Sequence, residues 1–97
     1  MTAAPDQRQA AGAKLTELIA LLKAQGAASQ VVEECEALAR AVTAFHMEGI
    51  RFRIFNVDRL LAAAGPAAPA GAAGLVEEIR RHLEAAGFHT RSHQAPG

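Results

Sequence analysis

Val31, Cys35, Leu38, Val42 and Phe45 are separated by alternating steps of four and three residues. That spacing gathers side chains on one stripe of an α-helix and lets the stripe interlock with a second helix. Upstream, Ala11, Leu15, Leu18 and Leu22 follow at steps of four, three and four, and Ile19 widens the stripe. Only the short Gly26 to Ser29 connection lies between the two runs, which forces an antiparallel helical hairpin. Asp6, with Gln9 three residues later, predicts a capped first helix from about Gln7 to Gln25. Ser29 predicts the cap of the second, whose first turns carry Glu33, Glu34 and Glu36 where the helix dipole favours acids. The hairpin is expected over residues 7–48.

Glycines punctuate the pattern at Gly26, Gly49, Gly65 and Gly87, each an expected helix stop. After Gly49 the period changes, because Ile50, Phe52 and Ile54 alternate with Arg51, Arg53 and Phe55, which predicts a strand. A helical reading of the same stretch also exists, through Met47, Ile50, Ile54, Val57, Leu61 and Ala64. The strand is preferred for its β-branched and aromatic residues. Asn56 then predicts a short helix over Val57 to Ala64, and the Gly/Pro/Ala composition of 65–74 a flexible connector. A last helix is expected from Leu75 to Ala86, with Leu75, Ile79, Leu83 and Ala86 on one face. The pairs Glu77 with Arg81 and Arg80 with Glu84 are expected on its outer surface. Phe88 to Ser92 predicts a second strand, and the terminal stretches 1–5 and 94–97 are expected to be disordered. The expected fold is therefore α+β and mostly helical: one domain over 1–97, an N-terminal antiparallel helical hairpin followed by a small β-α-α-β element. No internal repeat is visible.

Composition bears on partners. Of the 97 residues, 24 are alanine, whereas Leu, Ile, Val and Phe together number 22, with no Trp or Tyr and a single Cys. So thin a core predicts burial against another polypeptide, and hence a homo-oligomer or a protein partner. The expected interaction face comprises Leu15, Leu18, Leu22, Leu38, Val42 and Phe45. Ten basic and ten acidic residues cancel, which removes a strong whole-molecule field for nucleic acid or anionic membrane. The start of the chain lacks the charged and apolar runs of a secretory signal, and no stretch is long and apolar enough for a bilayer span, so a cytoplasmic protein without membrane contact is expected.

Few residues point to chemistry. On paired strands, Arg51 and Arg53 would share a face with His89, Arg91 and His93, a candidate anion-binding set that could equally keep a sheet edge soluble. His89 and His93 on a strand would lie roughly 13 Å apart, too far to share a zinc ion, so no metal site is assigned. His46 is expected to stabilise the end of the second helix, and Cys35 to be inert beside Glu34 and Glu36. No paired carboxylates, phosphate cradle, nucleophilic triad or dinucleotide fingerprint occurs, so neither a catalytic residue nor a cofactor is expected.

A strand with alternate arginines followed by two helices, Ile50 to Leu83, resembles the ribbon-helix-helix transcription factors. That likeness would imply a dimer whose ribbon places Arg51 and Arg53 in the major groove, although the 65–74 connector is longer than that family's turn. The phrase Leu83-Glu84-Ala85-Ala86-Gly87-Phe88 is similar to the helix-to-wing junction of winged-helix regulators. The leading expectation is a small interaction or scaffold module that self-associates through helical faces. A dimeric DNA-binding regulator using Arg51 and Arg53 is the alternative, and a small enzyme or enzyme subunit the third.

Overall fold

The computed structural model describes residues 6–88 and Thr90, and among these every regular element is helical. Helix α1 spans Gln7–Ala24, α2 Ser29–Thr43, α3 Met47–Ala64 and α4 Ala72–Ala85, with a 3-10 turn at Gly65–Ala67 before α4. No strand occurs among the described residues, so the β-α-α-β element is overturned and the fold is all-α. The Ile50 to Phe55 stretch is the interior of α3, continuous with the predicted short helix. The helical alternative prevails there because Ile50, Ile54, Val57 and Leu61 form one buried stripe. A strand would have exposed half of that stripe's neighbours to no purpose. Of the second expected strand, Phe88 and Thr90 are buried outside any strand, and the rest lies outside the described residues.

Each helix buries the same pattern. The core residues are Ala11, Leu15, Leu18 and Leu22 on α1, and Val31, Cys35, Leu38 and Val42 on α2. Ile50, Ile54, Val57 and Leu61 supply α3, and Ala72, Val76, Ile79 and Leu83 supply α4. Steps of four, three and four recur in all four, a repeat of spacing that the residue identities conceal. α1 touches α2 and α4, and α3 touches α2 and α4, whereas the diagonal pairs do not meet. With short connections between successive helices, this is an up-down-up-down bundle.

The buried stripes of the four helices form one core, in which Ala11, Cys35 and Ala72 are the small members. Cross-helix ties hold the register. Lys14 Nζ lies 3.0 Å from Glu78 Oε1 between α1 and α4, and Arg53 Nη1 3.1 Å from Glu34 between α3 and α2. The hydrogen bond with Glu78, reinforced by the charge of Glu17, raises Lys14 above its ordinary pKa, and the same bond lowers that of Glu78. A chain poor in bulky residues thus encloses its own seams.

Helix ends account for further differences. Asp6 caps α1 as expected, accepting from the backbone N–H of Arg8 and Gln9 at 3.0 and 3.3 Å. Ser29 is the first residue of α2 rather than its cap, and Ala28 in the cap position makes no side-chain bond. Gly26, Gly65 and Gly87 have the positive φ of helix-closing residues, but Gly49 lies inside the first turn of α3. The stop expected at Gly49 is made instead at Phe45, with φ 59°. Helix α4 begins three residues earlier than Leu75, so the segment read as a connector contributes its last residues to a helix. Arg80, expected on the outer surface, is 4% exposed. It lies four residues after Val76 and three before Leu83, at the border of the buried stripe. There it pairs with Asp58 of α3 at 2.7 Å and Glu77 at 3.4 Å rather than with Glu84.

Candidate functional site

Leu15, Leu18, Leu22, Leu38 and Val42 all lie inside the bundle and are buried by its own helices. Phe45 does not continue their seam. It follows the end of α2 and is 63% exposed, with its ring 6.2 Å from that of Phe88 and the Arg8 guanidinium over its face.

Arg51 and Arg53 stand on a helix, where residues two apart point in widely different directions. Both engage carboxylates. Arg51 Nη2 lies 2.9 Å from Glu48 Oε1, while Arg53 Nη1 donates to both oxygens of Glu34, which also accepts from Asn56 Nδ2 at 3.2 Å. Arg51 and Arg53 therefore share no strand face, and His89, Arg91 and His93 lie outside the described residues. His46 stabilises a helix start rather than a helix end: its Nδ1 accepts the Gly49 N–H at 2.9 Å and caps α3. The Cys35 thiol is buried and its pKa is pushed up to about 12, first by burial and then by the nearby charges of Glu34 and Glu36. It is a core residue with a suppressed thiolate. Among the described residues no three His, Cys, Asp or Glu side chains gather as a metal site, and no helix is long and apolar enough to cross a membrane.

Two hollows stand out. One, of about 550 Å³, lies where the α1–α2 turn meets the end of α3 and the 65–71 segment. It is lined by Ala27, Val31, Leu60, Leu61, Pro66 and Pro69 among others, and no charged side chain borders it among the described residues. The other, of about 540 Å³, is an open groove between α2 and α3, where Ala37, Ala41 and Ala44 face Gly49 and Phe52.

Beside the groove runs an apolar ridge. Phe52 is 56% exposed and Phe55 49%, on the side of α3 turned away from the core stripe. With Glu48 before them and Arg59 after, they form a second seam at steps of four, three and four. The Arg53 guanidinium lies 5.1 Å from the centre of the Phe52 ring. Three of the chain's four phenylalanines are therefore on the outside, and the core is almost wholly aliphatic. Aromatic rings are the largest contributors to apolar burial, and leaving two on one helix face is unfavourable for an isolated molecule. The expected strand hides this ridge, because on a strand Phe52 and Phe55 point to opposite faces. The signal was the outer face of the helical alternative, where four-three spacing recurs two positions before the core stripe.

No protein-family model, no curated protein and no solved structure matches the chain.

Proposed function

We propose that this protein works by binding, as a small helical interaction module whose docking face is the α3 ridge of Phe52 and Phe55 with the alanine-floored groove beside it. The observation that carries the reading is the placement of aromatic bulk. A chain that fills its interior with Ala, Val, Ile and Leu nevertheless holds two phenylalanines half in water on one helical stripe. Exposed apolar surface rimmed by charged residues marks association sites, and rings lose little conformational entropy when they are covered. The Arg53 side chain, which donates to both oxygens of Glu34, supports protein contact at this face better than phosphate contact, because a phosphate would have to displace that carboxylate.

The test is site-directed photo-crosslinking of the full chain in its own cells. A crosslinking residue at Phe55 is expected to give discrete protein adducts, while one at the exposed Ala13 of α1 gives few. Adducts no stronger at 55 than at 13 would refute the reading.

A further inference from the structure

We infer that the α3 ridge is covered by a second copy of this chain, the two α3 helices lying antiparallel across a two-fold axis that passes between Arg53 and Ile54. This rests on the docking-face reading above and adds the partner and the register. Isologous contact requires a surface complementary to itself. The seam Glu48, Phe52, Phe55, Arg59 meets that requirement, because its spacing is symmetric about its midpoint while its end charges are opposite. Turned end for end, Phe52 lies level with the partner's Phe55, and Glu48 with the partner's Arg59, twice over. A parallel pairing would instead set Glu48 against a second Glu48 and Arg59 against a second Arg59, with repulsion at both ends.

The charges are free to pair in this way. Among the described residues Arg59 makes no ion pair. Glu48 is held only by Arg51 three residues away, with its side chain 74% exposed, and a surface pair of that kind contributes little. The floor of the adjoining groove is built from Ala37, Ala41 and Ala44, whose short side chains let a neighbouring helix approach. Half-exposed rings on two copies supply roughly 400 Å² of apolar surface. That is well below what a stable dimer buries, so the contact is weak and reversible, with self-association in the micromolar region or weaker.

Sedimentation velocity on the purified full chain, from about 1 µM to about 1 mM, tests the pairing. Wild type is expected to shift from monomer towards dimer across this range, and Phe52→Ser with Phe55→Ser to remain monomeric. Glu48→Arg alone and Arg59→Glu alone should each weaken association by about tenfold or more, since each places like charges at both ends. Glu48→Arg combined with Arg59→Glu should restore it, whereas a parallel pairing, in which like meets like in every variant, gives neither the loss in the single reversals nor the recovery. Circular dichroism on every variant verifies that the bundle persists. A wild-type chain that stays monomeric throughout, or a double charge reversal no better than either single one, would overturn the inference. Either outcome leaves the docking face to the crosslinking experiment, where partners other than this chain would appear at position 55.

Discussion

The Arg8 guanidinium carbon lies 4.0 Å from the centre of the Phe45 ring, and Arg8 Nη1 donates to the Val42 carbonyl at 3.4 Å. One side chain from the start of α1 thus satisfies the end of α2 and covers a ring held at φ 59°. The hydrogen bonds around Phe45 run from its N–H to Val42 O at 3.2 Å and from the His46 N–H to Ala41 O at 3.0 Å. Gly26 and Gly87 close α1 and α4 with the same pattern. A phenylalanine in the left-handed region costs about 1–2 kcal/mol, offset by the cation–π contact and the Phe88 ring.

Phe45→Gly should therefore leave stability within about 1 kcal/mol of wild type, since strain and stacking are lost together. Phe45→Ala, which keeps the strain and loses the stacking, should be less stable than Phe45→Gly by about 1 kcal/mol. Urea unfolding of the three proteins measures both, and an alanine variant as stable as the glycine variant would contradict the account.

Glycine-to-alanine changes inside helices should differ in sign with position. An added Cβ at Gly12 or Gly74 meets nothing within 4 Å, so each change should stabilise by about 0.5–1 kcal/mol. At Gly49 the same atom would come 2.5 Å from His46 Nδ1, the acceptor of the α3 cap. Gly49→Ala should destabilise instead, and His46→Ala should cost about 1 kcal/mol, with His46→Asn recovering most of it. Thermal melts of the five variants suffice.

At the α3–α4 seam, Arg80 is buried with Asp58 and Glu77 as partners, and its Nε has no hydrogen-bond partner among the described residues. Asp58→Ala removes the shorter contact from a buried cation and should cost about 2 kcal/mol or more. Arg80→Met, which replaces the charge with an apolar side chain of similar reach, should cost less than Asp58→Ala. The reverse order in chemical denaturation would mean that the ion pair itself is the main stabilising element of this seam.

Cys35 sets an alkaline limit on stability. Its folded pKa is pushed up to about 12, above the ordinary 9.0, so the neutral thiol is favoured in the folded state. Its contribution is complete below pH 9.0 and is lost as pH rises from there towards the folded value. The stability of wild type relative to Cys35→Ala should accordingly fall from pH 9.0 upward, by up to about 1.4 kcal/mol per pH unit. A difference that stays constant to pH 11 would show that the thiol ionises as readily in the bundle as in the open chain.

The helical hairpin, the Asp6 cap and the core positions of α1 and α2 were legible because each rests on a local signal: spacing along one helix, or a side chain two or three residues from the group it caps. Ile50 to Phe55 misleads because its alternation of large and charged residues satisfies two periods over six residues. The tie is broken by Val57 and Leu61 farther along and by His46 before it. A histidine cap followed by glycine carries little statistical signal, and it is the three-dimensional fit of the ring against Gly49 that makes it work. The ridge followed the fate of the helix. Once α3 is continuous, Phe52 and Phe55 can only point outward, since Ile50, Ile54, Val57 and Leu61 already occupy the inner side. Arg80 was assigned to solvent because charge outweighed position, whereas Asp58, 22 residues away in the chain, lets it lie inside.

The four seams share one further property. Steps of four, three and four read identically from either end, so the apolar pattern alone would accept the helices circulating clockwise or anticlockwise around the bundle axis. Chirality is therefore left to features outside that spacing: the turns closed at Gly26, Phe45 and Gly65, and the contacts at the core's margin where Lys14 meets Glu78, Arg53 meets Glu34 and Arg80 meets Asp58.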